Sequence, residues 1–171
     1  MNKKLAILSL SMLLCTGFAA SCGDKDDPSP IPEESMLIGY YTGTTVGNSI
    51  HFEGLSMPNV TDTVFVRAAV KNSLNFDVEY RSSYWGTATF ENVSATKVNG
   101  VYELAEATGT ISMPKRTPGA ETVTYNEYPA TLTASTIQLL PADSGRGAAY
   151  SFTIEANLGE RAGIYKLTLT N

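Results

Sequence analysis

The chain has 171 residues, with 12 lysines and arginines against 17 aspartates and glutamates and a formal net charge of -5 at pH 7. A chain of this length accommodates one domain with its own hydrophobic core. Its acidic balance disfavours nucleic acid as a partner, because the phosphate backbone is also negative. It disfavours anionic lipid surfaces for the same reason.

The amino-terminal segment has the three parts of a cleaved export signal. Lys3 and Lys4 give a positive start, residues 5–18 form an apolar run, and small residues precede Cys22. The run is about 14 residues long, whereas a membrane-spanning helix needs roughly 20. The pattern resembles a bacterial lipoprotein signal, in which residues 1–21 are removed and the cysteine is acylated, for example with palmitate. We expect Cys22 to anchor an outer-membrane lipoprotein, on the periplasmic face or at the cell surface.

Residues 22–35 are expected to form a flexible tether behind the lipid. The stretch from Gly23 to Ser35 contains three prolines and several acidic residues but almost nothing to bury. Such composition favours an extended, solvated chain. Lys25, Asp26 and Asp27 either resemble the acidic export signal of surface lipoproteins in Bacteroides-like bacteria or form an ordinary solvated charge cluster.

Beyond residue 35 apolar and polar residues alternate, which is typical of β-strands with one buried and one wet face. No segment of helical length has apolar residues at three- and four-residue spacing. We therefore predict an all-β domain over residues 36–171, with about eight to ten antiparallel strands. The clearest predicted strands are 64–70, 74–80, 150–158 and 165–169.

Turn signals separate these strands. Asn99-Gly100 is the strongest, because both residues tolerate the positive φ that a two-residue type I′ hairpin requires. Turns are also predicted at Gly47-Asn48, at residues 71–73 and at Gly159-Glu160. Strands of this number either close into a barrel or pack as a sandwich, since both arrangements protect strand edges. Periodicity alone does not choose between them.

Three motifs within the predicted domain suggest a family. Residues 37–43, 91–102 and 128–132 read LIGYYTG, ENVSATKVNGVY and YPATL, and the chain closes with the strands of residues 150–169. Together these resemble the calycin-like, or lipocalin-like, β-barrel lipoproteins of Bacteroides-like bacteria. The resemblance implies an antiparallel barrel of about eight strands, a size that side chains can fill or that can enclose one small ligand. It implies no particular reaction or substrate.

No residue pattern in the sequence indicates catalysis, a cofactor or a metal. His51 is the only histidine, which excludes a multi-histidine metal site. No free thiol is expected for a Cys-His pair, because Cys15 lies in the signal segment and Cys22 is acylated. Asp77 and Glu79 lie two residues apart on a strand face that is predicted to be exposed, which suits a glycosidase cleft poorly. We expect a non-enzymatic protein.

Aromatic residues give the candidate binding positions. Tyr80, Tyr84 and Trp85 surround an Arg-Ser-Ser turn, and Phe76 and Phe152 are predicted to face the barrel interior. The first hypothesis is a monomer that binds a small, mainly apolar ligand inside the barrel or at its mouth. One alternative is a surface glycan-binding or adhesion module in which Tyr84 and Trp85 stack on sugar, unless Trp85 packs as core. Another is a structural subunit of an envelope assembly.

Overall fold

The structure, a computed structural model, describes residues 32–50, 59–71, 73–115, 123–141, 145, 147–160 and 162–171. The predicted signal segment, Cys22, most of the tether and His51 lie outside these residues. The described chain contains one short helix and nine strands. They are α1 (Glu33–Leu37), β1 (Gly39–Ser49), β2 (Val60–Ala68), β3 (Asn75–Ser82), β4 (Gly86–Val98), β5 (Val101–Leu104), β6 (Ala107–Lys115), β7 (Thr124–Leu139), β8 (Ala148–Asn157) and β9 (Ile164–Thr170).

The strands form one antiparallel sheet that closes into a barrel. Neighbours in sequence pair from β1 to β4 and from β7 to β9, and β9 pairs back with β1. Strands β5 and β6 follow one another in a single position between β4 and β7, in the same register against both neighbours. The nine described strands therefore occupy eight positions around the wall. This confirms the predicted all-β barrel and excludes the sandwich.

Alternation along each strand decides which side chains fill the barrel. On β3, Phe76, Val78 and Tyr80 are buried, whereas Asp77 and Glu79 point outward. The hydrophobic effect favours this arrangement, since each inward apolar side chain leaves water. Large apolar and aromatic side chains pack the interior from all around the wall. Those with under 2% exposure are Tyr80, Tyr102, Phe76, Phe90, Phe152, Leu37, Ile111, Leu132, Ile137, Ile154, Leu167 and Leu169.

Helix α1 closes one end of the barrel. Its last residue, Leu37, is fully buried among the core side chains. The carbonyl oxygen of Leu37 accepts a hydrogen bond from the hydroxyl of Tyr41 at 2.8 Å, which fixes the end of α1 to the start of β1. The folded unit accordingly begins at Pro32 rather than at residue 36. Residues 32–35, which the sequence assigned to the tether, belong to it.

Two glutamates attach α1 to the β2–β3 loop and to strands β4 and β5 at this end. The Glu34 carboxylate accepts a hydrogen bond from the backbone amide of Ser73 at 2.6 Å. Glu33 forms an ion pair with Lys97 at 2.7 Å and also accepts a hydrogen bond from the Tyr102 hydroxyl. Lys97, and then Tyr102, hold the pKa of Glu33 below its ordinary value. A helix of five residues is too short to be stable alone, so these contacts and Leu37 stabilise it.

The predicted turns at Asn99-Gly100 and Gly159-Glu160 lie between consecutive strands, whereas residue 72 of the turn predicted at 71–73 lies outside the described residues. Asn99 and Gly100 have φ values of 50° and 84°, as the type I′ hairpin between β4 and β5 requires. The predicted turn at Gly47-Asn48 is wrong, because both residues lie inside β1. Gly47 faces inward against the Trp85 ring, and any β-carbon there would overlap that ring. The glycine therefore serves packing rather than a turn.

Candidate ligand site between β1 and β8

The barrel wall has a gap at the end that α1 closes. Strand β9 separates β1 from β8 along most of their length, but its last paired residue, Thr170, lies opposite Thr44 and Ser151. Beyond these partners, residues 39–43 of β1 and 148–150 of β8 have no described strand between them. Each stretch pairs only on its other side, with β2 or β7. The wall gap is thus a consequence of where β9 ends.

Side chains bridge the wall gap where backbone pairing stops. The Tyr150 hydroxyl on β8 donates to the carbonyl oxygen of Thr42 on β1 at 2.6 Å. The Asn171 side chain donates to the carbonyl oxygen of Ala148 at 2.7 Å and accepts from the backbone amide of Tyr150 at 3.2 Å. Asn171 therefore gives β8 the donor and the acceptor that a longer β9 would have offered.

Three aromatic rings pack behind this bridge. Tyr41 lies with its ring centroid 5.0 Å from that of Tyr150 and 5.4 Å from that of Phe152, and both pairs have edge-to-face geometry. Burial, and secondarily the neighbouring Tyr150, raises the pKa of Tyr41 to about 12. Burial also raises the pKa of Tyr150. Both hydroxyls are therefore protonated and uncharged near neutral pH, so the surface behind the gap has no formal charge from them.

A groove of about 450 Å³ lies over the wall gap and opens to solvent. Its volume falls within the range of small-molecule sites, roughly 300–1,000 Å³. Three of its lining side chains, Met36, Ile38 and Tyr40, are large apolar groups with 47%, 44% and 75% exposure. Polar lining is provided by Asn171 and the tyrosine hydroxyls. The groove is lined by Met36, Ile38, Gly39, Tyr40, Tyr41, Leu139, Gly147, Ala148, Tyr150 and Asn171.

Trp85 lies toward the other end of the barrel and is only 2% exposed. Its ring packs against Gly47 of β1 and has its centroid 5.8 Å from that of Tyr165 on β9. The half-buried Tyr84 ring meets it edge-on at 5.1 Å. The Ser82 hydroxyl oxygen accepts hydrogen bonds from the backbone amides of Tyr84 at 3.1 Å and of Trp85 at 3.0 Å. These two bonds shape the β3–β4 turn. Trp85 packs as core, so its ring is not available to stack on an external sugar.

The five aromatic residues predicted as ligand contacts do not meet in one place. Tyr80, Tyr84 and Trp85 lie toward the same end of the barrel, as their closeness in sequence suggested. Phe152 belongs to the cluster behind the wall gap, where it contacts Tyr41 and Tyr150. Phe76 is buried in the core at the start of β3. Their role in ligand binding stays a prediction.

None of the ten groove-lining residues is among the five aromatic residues predicted as ligand contacts. Tyr41 belongs to the LIGYYTG motif, and nothing in the sequence pattern predicts a role for Asn171. Both become parts of a site because β9 ends one residue before Asn171. Strand alternation cannot reveal this, since the wall gap depends on the register between β9 and its two neighbours.

The outward carboxylates on β3 are occupied by structural partners. The Asp77 carboxylate accepts a hydrogen bond from the backbone amide of Asn92 at 3.0 Å. Glu79 forms ion pairs with Arg67 at 2.7 Å and Arg81 at 2.5 Å. The hydrogen bond from Arg81 contributes most to holding the pKa of Glu79 below its ordinary value. These carboxylates stabilise the outer face of the sheet, in line with the predicted exposed position.

Comparisons with known proteins leave the family open. No protein-family model matches the chain, and neither curated proteins nor solved structures give a significant match. Within the described ranges, no helix is long and apolar enough to cross a membrane. The same part of the chain contains no cluster of three or more histidine, cysteine, aspartate or glutamate residues that could hold a metal ion. The resemblance to calycin-like barrels remains a prediction.

Proposed function

We propose that this protein is a lipid-anchored envelope protein of the calycin-like kind, whose barrel binds a small, mainly apolar ligand in the groove over the wall gap. The observation that carries the proposal is the groove itself, which combines a suitable volume with exposed apolar side chains. Buried hydrophobic side chains from around the wall form one cluster in the barrel interior. This favours the mouth of the barrel over its centre as the ligand site.

The lining of the groove suits an apolar ligand with one polar group. Met36, Ile38 and Tyr40 offer apolar surface that is exposed in the free protein. A ligand that covers this surface removes it from water, which favours binding. Asn171 and Tyr150 lie at the same groove and can orient a hydroxyl or carbonyl group. This arrangement of apolar walls with few polar groups is typical of small-molecule sites.

Binding in the groove is testable with an apolar fluorescent probe. We would titrate 1-anilinonaphthalene-8-sulfonate into the folded protein and into Ala148→Phe, which fills the groove from β8. The matched control is Ala105→Phe, an exposed position at the β5–β6 break that does not line the groove. The proposal predicts that Ala148→Phe weakens probe binding at least tenfold while Ala105→Phe binds like the wild type. Equal binding by all three proteins would place the probe elsewhere and contradict the groove.

The lipid anchor needs its own experiment. Cells that express the full chain would be grown with labelled palmitate, and the protein would be immunoprecipitated. The proposal predicts label on the wild type and none on Cys22→Ser, together with loss of Cys22→Ser from the membrane fraction. An unlabelled wild-type protein would refute the anchor without affecting the groove.

A further inference from the structure

The groove over the wall gap borders an aromatic and basic surface on the outer face of β2 and β3. Tyr40 lines the groove and is 75% exposed. Its ring meets the Phe65 ring of β2 edge-to-face, with the two centroids 4.6 Å apart. The Arg81 guanidinium of β3 lies over the same Phe65 ring, with its Cζ atom 4.4 Å from the centroid. Two rings in contact therefore join the groove to a cation.

The strand register places these side chains on one outer face. Tyr40 of β1 is paired with Phe65 of β2. Two positions along the same strands, Thr42 is paired with Thr63, and Thr63 with Arg81 of β3. Residues two apart share a face of a strand, and the two threonine hydroxyls lie 3.1 Å apart in a hydrogen bond. The surface between the groove and Arg81 thus has an aromatic row and a hydroxyl row.

Arg81 is the cation of this surface that can bind a further anion. Glu79 is paired with both Arg67, at 2.7 Å, and Arg81, at 2.5 Å. Arg67 also lies opposite Asp77 in the register of β2 and β3, so two carboxylates are close to it. Arg81 uses its Nε atom for Glu79, and its side chain is 52% exposed. A guanidinium has five N–H donors, so the Nη groups of Arg81 remain for a ligand.

The groove itself has no charged side chain in its lining. Its polar side chains already donate to backbone carbonyls, Tyr150 to that of Thr42 and Asn171 to that of Ala148. A negative group on a ligand is therefore bound better outside the groove, by a guanidinium. Arginine binds carboxylates through paired N–H donors, and such charge-assisted bonds are stronger than neutral ones.

We infer that the ligand of the groove is an amphiphile with an apolar chain and a carboxylate head. The chain lies in the groove and across the exposed Tyr40 ring, and the carboxylate accepts hydrogen bonds from the Nη groups of Arg81. Tyr40 and Phe65 provide the apolar surface between these two ends. This inference rests on the proposed function, because it names the class of molecule that the groove binds.

Two ligands with the same chain test the inference. We would titrate the protein with decanoate and, separately, with 1-decanol by isothermal titration calorimetry near neutral pH, where the carboxylate is ionised. The inference predicts that decanoate binds about fivefold more tightly, the upper end for one exposed ion pair. Equal affinities would refute the anionic class and leave the groove as a site for apolar chains. Failure of both ligands to bind would contradict the groove itself, and this inference with it.

Two charge-removing substitutions test the assignment of Arg81. Arg81→Gln should lower the affinity for decanoate to that for 1-decanol and leave the affinity for 1-decanol unchanged. Lys166→Gln removes a positive charge from an exposed position on β9 that does not line the groove, and it should keep the preference for decanoate. A preference that survives in Arg81→Gln, or that is lost equally in Lys166→Gln, overturns the assignment. If Arg81→Gln does not fold, the comparison of the two ligands on the wild-type protein still decides whether the ligand is anionic.

Discussion

The Tyr150 hydroxyl donates a hydrogen bond to the carbonyl oxygen of Thr42 at 2.6 Å, across a place where no described strand joins β8 to β1. Elsewhere in the wall, neighbouring strands are held by ladders of backbone hydrogen bonds. Here the side chains of Tyr150 and Asn171 form hydrogen bonds in place of such a ladder, and the groove lies over them. The candidate ligand site therefore lies over a part of the wall that lacks backbone pairing between two strands.

Tyr150→Phe tests the bridge across the wall gap. The substitution keeps the ring but removes the hydroxyl, so the Thr42 carbonyl loses its side-chain donor. We expect the free energy of unfolding to fall by about 1 kcal/mol, the usual contribution of one such bond. Urea denaturation measures the loss. Tyr128→Phe is the control, because its hydroxyl accepts a bond from Asn126 on the exposed surface. If the hydrogen bond from Tyr150 to Thr42 does not stabilise the fold, Tyr150→Phe and Tyr128→Phe will be equally stable.

Leu37→Ala tests whether α1 seals the barrel. Leu37 has 0% exposure and is the buried anchor of the helix. Truncation removes apolar contacts and leaves a cavity, so we expect a loss of about 2–5 kcal/mol in the free energy of unfolding. Met36→Ala, at the preceding, exposed position of the same helix, should change it by less than about 0.5 kcal/mol. If Leu37→Ala and Met36→Ala lower the free energy of unfolding by similar amounts, Leu37 does not seal the barrel end.

Gly47→Ala tests the packing of Trp85 on β1. A methyl group at this position overlaps the indole ring, so the ring must move or the strand must bend. Overpacking of this kind costs about 1–3 kcal/mol. The only tryptophan is the affected residue, so its fluorescence emission should shift to longer wavelength as the ring gains contact with water. Gly39→Ala meets no atom within 4 Å and serves as the control. Unchanged emission in Gly47→Ala would disprove the packing.

The Glu33–Lys97 pair predicts a pH dependence. Lys97, and then Tyr102, lower the pKa of Glu33 from its ordinary value of 4.5 in the folded state. A lowered carboxyl pKa stabilises the fold above the unfolded pKa, and this stabilisation is lost as pH falls through the folded pKa. The stability difference between wild type and Glu33→Gln should therefore be constant near neutral pH and shrink below about pH 4.5. Urea midpoints at several pH values measure it, with the exposed Glu106→Gln as the control. If the stability difference between wild type and Glu33→Gln grows as the pH falls, the pKa of Glu33 is not lowered by folding and the pairing with Lys97 is contradicted.

Alternation made the strands predictable, because an inward position must be apolar wherever the barrel interior is dry. The prediction that Phe76 and Phe152 face the interior rests on this rule and is confirmed. Helix α1 was not predicted, since it is held by Leu37 and by contacts of Glu34 with a distant loop rather than by its own sequence pattern. The turn predicted at Gly47 is wrong for a similar reason. A glycine is needed at this position because the Trp85 ring packs against it, and not because the chain turns there.

The candidate sites were less predictable than the fold. The exposure of Trp85 could not be read from sequence, because a ring beside a polar turn can point either way. The groove depends on the point at which β9 ends, opposite Thr44 and Ser151, and the register of three strands decides that point. No sequence pattern predicts that Asp62 is buried, and the structure places its carboxylate inside the barrel.

Native mass spectrometry of the protein from its own cells tests the ligand-binding groove most directly. Wild type and Ala105→Phe should each retain a small molecule of the same mass, and Ala148→Phe, with its groove filled, should lack it. A wild-type protein that carries no small molecule, or an Ala148→Phe protein that retains it equally well, would contradict the groove as the ligand site.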